Sequence, residues 1–428
     1  MPERSLEPLI LVISQVYVPD PASVGQHMAD AAEALVDRGY AVRVLTSARG
    51  YENPQVRYAS SERRGGVDIV RLPLSSFGKR TILQRLLGQA LFLLQAVVRG
   101  LFAPRLAAVL VSTSPPMGSV AALLISFVRG VPIKFWLMDM NPDQLIALGK
   151  VGPRSWPARV FRALNRRLFA RAADVVVLDR FMAVRVREQY QRIGRMEVLP
   201  PWPHESALEP VEHASNPFRQ EHELGEKTVV MYSGNHSLAS PLTTLVQAAL
   251  ALQSDPRFVF LFIGGGHGKR EIDEAIRDHH PANIRSMPYQ PLEQIRYSLS
   301  AADVHVVALG DDMVGIIHPC KIYGAMAVGR PVLLLGPRPS HASDILDEYG
   351  IGWHVAHGDV PGMIDALRTV AATPRETLRQ MGERARAAVD DRFSKEALCS
   401  QFVDAVVRDL PKPVTAAPSV GVSTPAQV

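Results

Sequence analysis

The stretch "TVVMYSGNHSLASPLTTLVQAALALQSDPRFVFLFIGGG" (Thr228–Gly266) decides the fold. It opens on an apolar, β-type run, Thr228–Ser233, and turns at Gly234 and Asn235. Ser240 and Pro241 then supply helix-start chemistry, a side-chain cap followed by a proline whose missing N–H costs nothing there. A second buried-strand pattern, Phe258–Ile263, ends in three consecutive glycines. Strand, helix and strand in this order predict a parallel sheet covered by helices.

Working outward, the same alternation fills the chain. Before this stretch, strands are expected near Leu9–Ser14, Ala41–Thr46, Val67–Leu72, Ala108–Ser112, Pro132–Leu137, Asp174–Leu178 and Met196–Leu199. A helix over Val24–Arg38 closes at Gly39, the usual stop position. After it, strands are expected at Ile284–Ser286, Val304–Ala308, Pro331–Leu335 and Gly352–Val355. The proline-rich segment "LPPWPHESALEPVEHASNP" (Leu199–Pro217) reads as a linker between two such halves. A long charged helical stretch, Arg375–Val407, precedes a tail whose composition predicts disorder over residues 411–428.

The bulk properties agree. A chain of 428 residues is too long for one ordinary core and predicts two domains. Cys320 and Cys399 form neither a disulfide framework nor a metal cluster. The first apolar run, Leu9–Ile13, is too short for a signal peptide and follows Glu3 and Glu7. No run reaches the roughly 18–20 apolar residues that span a bilayer. Residues 1–200 hold 27 basic against 15 acidic residues, a net of +12, whereas residues 201–428 carry −7. One half therefore expects an anionic partner.

Candidate chemistry sits at strand-to-helix junctions, where doubly wound sheets bind ligands. "SQVYVPDPASVGQHMADAAEAL" places Gly25 at the opening of the first helix, without the glycine spacing of a dinucleotide site. Gly234 could rest against a diphosphate, although a plain turn explains the same residues. The glycines of "FLFIGGGHGKREIDEAI" (Phe260–Ile276) offer a bare backbone surface but not a P-loop. "MVGIIHPCKIYGAMAVGRPVLLLG" (Met313–Gly336) predicts a helix starting at Pro319, with Lys321 in its first turn. Cations are disfavoured there unless an anion is present. Cys320 reads as a small packed residue. Asp139 follows a buried strand and could act as acid or base, or hold a sugar hydroxyl. Asp143 reads as a helix-start residue. His27, His236 and His267 fall on candidate ligand loops. No Asp-x-Asp pair is present to chelate a metal-bound nucleotide sugar.

The first loop with its glycine ahead of "AEALVDRGYAVRVLT", then "MYSGN", "FLFIGGG" and "PCKIYGAMAVGRPVL", together resemble a GT-B glycosyltransferase of glycosyltransferase family 4, most closely its WbuB-type members of bacterial polysaccharide assembly. The resemblance spans about residues 9–410 and implies two Rossmann-like doubly wound parallel-sheet domains facing across a cleft. The implied division is 1–205 for the acceptor domain, 206–390 for the nucleotide-sugar domain, and 391–410 for a helix returning to the first. It places Lys321 on the donor diphosphate, and Gly234, Asn235, His236, Gly265 and Gly266 around phosphate and sugar. Tyr289 and Leu292 would frame the base, Asp139 would lie by the reacting carbon, and Gly25 would approach the diphosphate from the other domain. Two features depart from the pattern. The family's Glu-x7-Glu positions read Ile316 and Gly324, and "HSLAS" lacks the basic residues expected after "SGN".

The implied activity is metal-independent, retaining transfer of a hexosyl or N-acetylhexosaminyl group from a nucleotide-sugar, UDP-linked, with no further cofactor. The acceptor would be a polyprenyl-diphosphate-linked or other glycan, and the enzyme cytoplasmic, peripheral on the inner membrane face. The amphipathic segment Lys79–Arg105 suits an anionic membrane surface, and equally a core helix with solvated arginines. A sugar-nucleotide epimerase and a non-catalytic sugar-nucleotide or glycan binder are the competing readings. Nucleic acid is not expected as a partner, for no module recognises it.

Overall fold

A computed structural model describes residues 7–20, 22–50, 55–75, 82–204 and 208–413. Parts of the readings above fall on residues 1–6, 79–81, 205–207 and the tail from 414, which lie outside the described residues. The chain gathers into two compact units. One holds the residues up to Trp136, Arg171–Asp174 and the segment from Val403. The other holds Leu137–Ala170 and Val175–Phe402.

The strands form two sheets. The first contains β1 (Leu9–Ile13), β2 (Ala41–Ser47), β3 (Ser61–Arg64), β4 (Val67–Leu72), β5 (Leu106–Ser112), β6 (Ile133–Leu137), β7 (Ala172–Val177) and β8 (Arg195–Val198), in the order β3-β4-β2-β1-β5-β6-β7-β8. β4, β2, β1, β5 and β6 pair in parallel. The helices α1 (Ser23–Asp37), α2 (Ile82–Leu101) and α3 (Gly118–Arg129) connect strands of this sheet. The second contains β9 (Thr228–Ser233), β10 (Phe258–Ile263), β11 (Ile284–Met287), β12 (Val304–Ala308), β13 (Val332–Leu335) and β14 (Gly352–Val355), ordered β11-β10-β9-β12-β13-β14 and parallel throughout.

Side-chain alternation explains why the second sheet is covered on both faces. Val230, Tyr232, Phe258, Phe260 and Phe262 enter one apolar cluster, while Val229, Met231, Val259, Leu261 and Ile263 enter another. Every residue of β10 is buried, so the run shows no polar alternation, as expected of a doubly covered parallel strand. Burying each such large side chain is worth about 1.5–3 kcal/mol.

Four local expectations need correction. The helix expected to start at Ser240–Pro241 begins at Thr243, with Leu242 at its cap position and no side-chain cap bond. β3, sequence Ser-Glu-Arg-Arg, is an exposed antiparallel edge on β4, and its charges hide it from a search for apolar runs. The stretch Arg375–Val407 is two helices, Arg375–Arg392 and Lys395–Val407, parted where buried Phe393 leaves the helical path. The helix expected from Pro319 begins at Lys321 and runs for only seven residues, to Ala327.

In the first unit, Lys134 of β6 is buried. Its ammonium donates to Asp174 at 2.5 Å and to the carbonyls of Ala405 at 3.4 Å and Arg408 at 2.7 Å. A buried cation needs such partners, because desolvation otherwise costs several kcal/mol. The last helix thereby closes onto the first sheet.

Candidate active site

In the second sheet the chain leaves β9 for β10 and β11, then returns to β9's other side at β12. Such a reversal opens a crevice at the carboxyl ends of the strands. β9 ends at Ser233 and leads into Gly234, β10 ends at Ile263 and leads into Gly264, and β11 ends two residues before Tyr289.

These junctions converge. Gly234 adopts φ +114°, and a methyl group there would meet Cε of Lys321 at 2.9 Å. The lysine crosses its backbone, and its Nζ lies 5.1 Å from the Tyr232 ring centroid. Gly264 presses on the Gly234 carbonyl, where an added Cβ would sit 2.1 Å from the oxygen. At Gly266 the same addition would meet Asn235 Oδ1 at 2.3 Å, and at Gly265 the Tyr289 ring at 3.1 Å. Two backbone bonds stitch the loops, His236 N–H to the Gly265 carbonyl at 2.7 Å and Gly268 N–H to the His236 carbonyl at 2.8 Å. Gly234, Asn235, His236, Gly265, Gly266, Tyr289 and Lys321 therefore form one cluster. Leu292 stands exposed at the start of the helix Leu292–Ser300.

The cluster is cationic. Burial pushes the His236 imidazole down to about 4, and the charges of Lys269 and Lys321 push the same way. It is neutral at pH 7, so the lysines carry the charge. Only 1% of His236 is exposed, and neither ring nitrogen has a hydrogen-bond partner. Lys269 was not singled out in the sequence. Its ammonium donates to the carbonyls of Gly264 at 2.6 Å and Met287 at 2.5 Å, pinning the ends of β10 and β11 together. Its signal in the sequence is "GHGKRE", whose Gly-Lys lacks the Ser or Thr that a P-loop needs. A helix of seven residues carries little of the summed dipole a long one has, so Lys321 itself is the main cation.

Segment 314–318 leads into Lys321 and is fixed at four points. Arg185 donates to the Val314 carbonyl at 3.0 Å, and Met140 N–H to the Ile316 carbonyl at 2.9 Å. Gly315, φ +68°, packs so that a Cβ would lie 2.7 Å from the Phe181 carbonyl oxygen. His318 Nδ1 lies 2.9 Å from Asp179 Oδ2, His318 Nε2 2.9 Å from the Tyr323 hydroxyl, and that hydroxyl 2.8 Å from His341 Nε2. Burial alone would raise the Asp179 carboxyl, but the His318 hydrogen bond and charge hold it below its usual range. A carboxylate only accepts, so His318 Nδ1 donates. The Tyr323 hydroxyl has one proton, so it donates to one of the two imidazole nitrogens beside it and accepts from the other. Removing that hydroxyl leaves buried partners unsatisfied at about 1–3 kcal/mol. Tyr323→Phe is accordingly expected to lower the thermal midpoint by several degrees, measured by calorimetry. An unchanged midpoint would show that the chain of bonds carries no stability.

Asp139 lies one residue from the Met140–Ile316 bond. It is half-buried, and the protein packed around its carboxyl pushes the pKa from 3.8 to about 6. Asp143 opens a short helix, as expected, and accepts from Gln189 Nε2 at 2.9 Å. Gly25 lies in the first unit, inside α1. A Cβ there would come within 3.1 Å of the Tyr17 backbone, so loop packing by itself favours a glycine. His27 is buried, its Nδ1 2.8 Å from the Ser23 carbonyl. Cys320 is exposed rather than packed. Ile316 and Gly324 are buried and bring no carboxylate to the helix that Lys321 opens. Among the described residues, no group of three or more potential ligands could hold a metal ion.

Residues 23–202 match the family model described as "Glycosyl transferase 4-like domain", and residues 215–388 the one described as "Glycosyl transferases group 1". The "Probable glycosyltransferase WbjE" of Pseudomonas aeruginosa is 26% identical over 280 residues, covering 64% of this chain and 70% of that protein. The "Putative colanic acid biosynthesis glycosyl transferase WcaI" of Escherichia coli K12 is 23% identical over 416 residues, 92% of this chain and 98% of that one. Among solved structures, Anabaena HepE in complex with UDP-glucose superposes with a TM-score of 0.67 at 15% identity, over 93% of this chain and 99% of its own.

Proposed function

This chain belongs to the GT-B glycosyltransferases of family 4, and on that premise we propose that it moves a hexosyl or N-acetylhexosaminyl group from a UDP-sugar to a lipid-linked or other glycan acceptor in cell-surface polysaccharide synthesis. The observation that carries the reading is the convergence of Lys321 with the Gly234 and Gly264–Gly266 backbones. Bare backbone lets a diphosphate approach closely, and a lysine beside it matches its charge. The UDP-glucose complex of HepE, a protein of the same fold, supports a uridine donor.

In the proposed reaction the bond from the anomeric carbon to the distal phosphate oxygen breaks, and its electron pair stays on the nucleoside diphosphate. Lys321 stabilises that growing charge, and Lys269 adds to the local positive field. An acceptor hydroxyl oxygen bonds to the carbon, and its proton passes to the Asp139 carboxylate. The transfer is proposed to retain the anomeric configuration and to need no metal, with the lysines supplying the charge compensation. Neutral His236 packs its ring against Tyr232, with centroids 4.8 Å apart, and fixes the floor of the loop. We place the enzyme on the cytoplasmic face of the membrane that would carry a lipid-linked acceptor.

Titration calorimetry with UDP, GDP and ADP tests the donor assignment. UDP is expected to bind at least tenfold more tightly than the other two. Tighter GDP or ADP binding would replace the uridine assignment. Failure of all three to bind would reject the donor site, because Gly324 then leaves the ribose without a partner, and would favour the non-catalytic reading.

A further inference from the structure

We infer that the outer surface of α2 and α3 is a docking plate for an anionic lipid bilayer. The inference rests on the lipid-linked acceptor reading for its purpose, while its test reads binding to vesicles alone. Among the described residues, the large apolar side chains exposed on α2 and the turn after it are Leu87, Leu94, Val98 and Phe102, spaced seven, four and four, which places them on one face of a helix. Phe92, Ala96 and Gly100 form the opposite, buried face. A Cβ on Gly100 would meet Ile125 at 2.3 Å, so this is the face that packs on α3. α3 in turn exposes Leu124, Phe127 and Val128. Exposure reaches 83% at Phe102, 79% at Phe127, 63% at Val128 and 60% at Leu94. An amphipathic surface helix would put polar residues there.

The two sets form one patch. Arg129 Nη1, at the end of α3, donates to the carbonyls of Leu101 at 2.6 Å and Ala103 at 2.8 Å. That clamp ties the end of α3, two residues after Phe127, to the turn that carries Phe102. Contiguous apolar surface of this kind marks an interaction site.

Charge selects the occupant. Arg99 and Arg105 are exposed around the patch, and exposed Arg171 donates to Ser126 Oγ at 3.1 Å, next to Phe127. From Ile69 to Met138 the chain has eight lysines and arginines and no aspartate or glutamate in seventy residues. A second copy docking isologously would set this cationic rim against itself. A bilayer of anionic lipid offers an apolar interior beneath uniform negative charge, the complement of this surface. Among the described residues no helix is long and apolar enough to cross a membrane, so the proposed contact lies in the interface.

The test is cosedimentation of the full chain with vesicles of phosphatidylcholine alone and of phosphatidylcholine with 30% phosphatidylglycerol as the chosen probe. Binding is expected only to the second, to weaken with salt, and to fall at least tenfold in Phe102→Ser/Phe127→Ser. UDP affinity should stay within twofold in that variant, separating failure of the plate from failure of the donor site. Equal sedimentation of wild type and variant, or none with anionic vesicles, would overturn the inference. So would light scattering that shows a dimer abolished by the same substitutions.

Discussion

Lys321→Ala is expected to lower kcat by about 10²–10³, the loss typical when one preorganised group that stabilises transition-state charge is removed. The charge at issue is that of the departing diphosphate, and the side chain already crosses Gly234 where a phosphate would rest. In the ground state the same lysine meets a charge shared over both phosphates, so UDP affinity should fall less than kcat. Stability should barely change. The side chain is half-buried, and its contact with the Tyr232 ring is worth about 0.5–1 kcal/mol if exposed. Initial rates at saturating donor, with a thermal melt of the same sample, decide the matter. A variant within a few-fold of the wild-type rate would leave Lys321 without its role.

Asp139→Asn should move activity and stability in opposite directions. A carboxyl with its pKa near 6 is ionised at pH 8 and able to take the acceptor's proton. An amide cannot, and loss of a general base typically costs about 10²–10⁴ in rate. Wild-type kcat/KM should fall as the pH drops below about 6, and the residual activity of the variant should lack that limb. The folded-state pKa is raised from 3.8, so the fold favours the protonated form. The associated stability is complete below about pH 4 and is lost as the pH rises through about 6. Two pKa units correspond to roughly 3 kcal/mol. The asparagine variant escapes that loss and should melt above wild type at pH 8 but not at pH 4. Equal melting at both values would show that Asp139 is not held against ionisation, and an unchanged rate would remove it from the proton transfer.

How far the sequence exposed this protein depended on the kind of signal. β9, β10 and β12 stand at the expected residues, because buried parallel strands are short apolar runs bounded by glycine, proline and polar residues. β3 was hidden, since an edge strand facing water can be made of charged residues. The loops carrying Gly234, Gly265 and Lys321 were visible one at a time, each explicable as an ordinary turn. Their weight comes from contact with one another, over separations of thirty to ninety residues that no local pattern records. The chain from Asp179 through His318 and Tyr323 to His341 had no signal at all. Its members are single polar residues on four segments, and only the fold brings them into one chain of hydrogen bonds. The apolar plate on α2 and α3 was half legible. The pattern of Lys79–Arg105 is amphipathic in the sequence, but which face of the helix meets water, and that α3 continues the surface, come only from the packing.

The bond from Lys134 to the carbonyls of Ala405 and Arg408 spans 271 and 274 residues of chain. During synthesis the first sheet leaves the ribosome early, while the groups that satisfy its buried ammonium emerge near the end. Domains that are contiguous in sequence can fold in turn as they emerge. Here the first unit completes its hydrogen bonding only after the second has been made. A nascent chain halted before residue 403 would lack both of the carbonyls to which this ammonium donates.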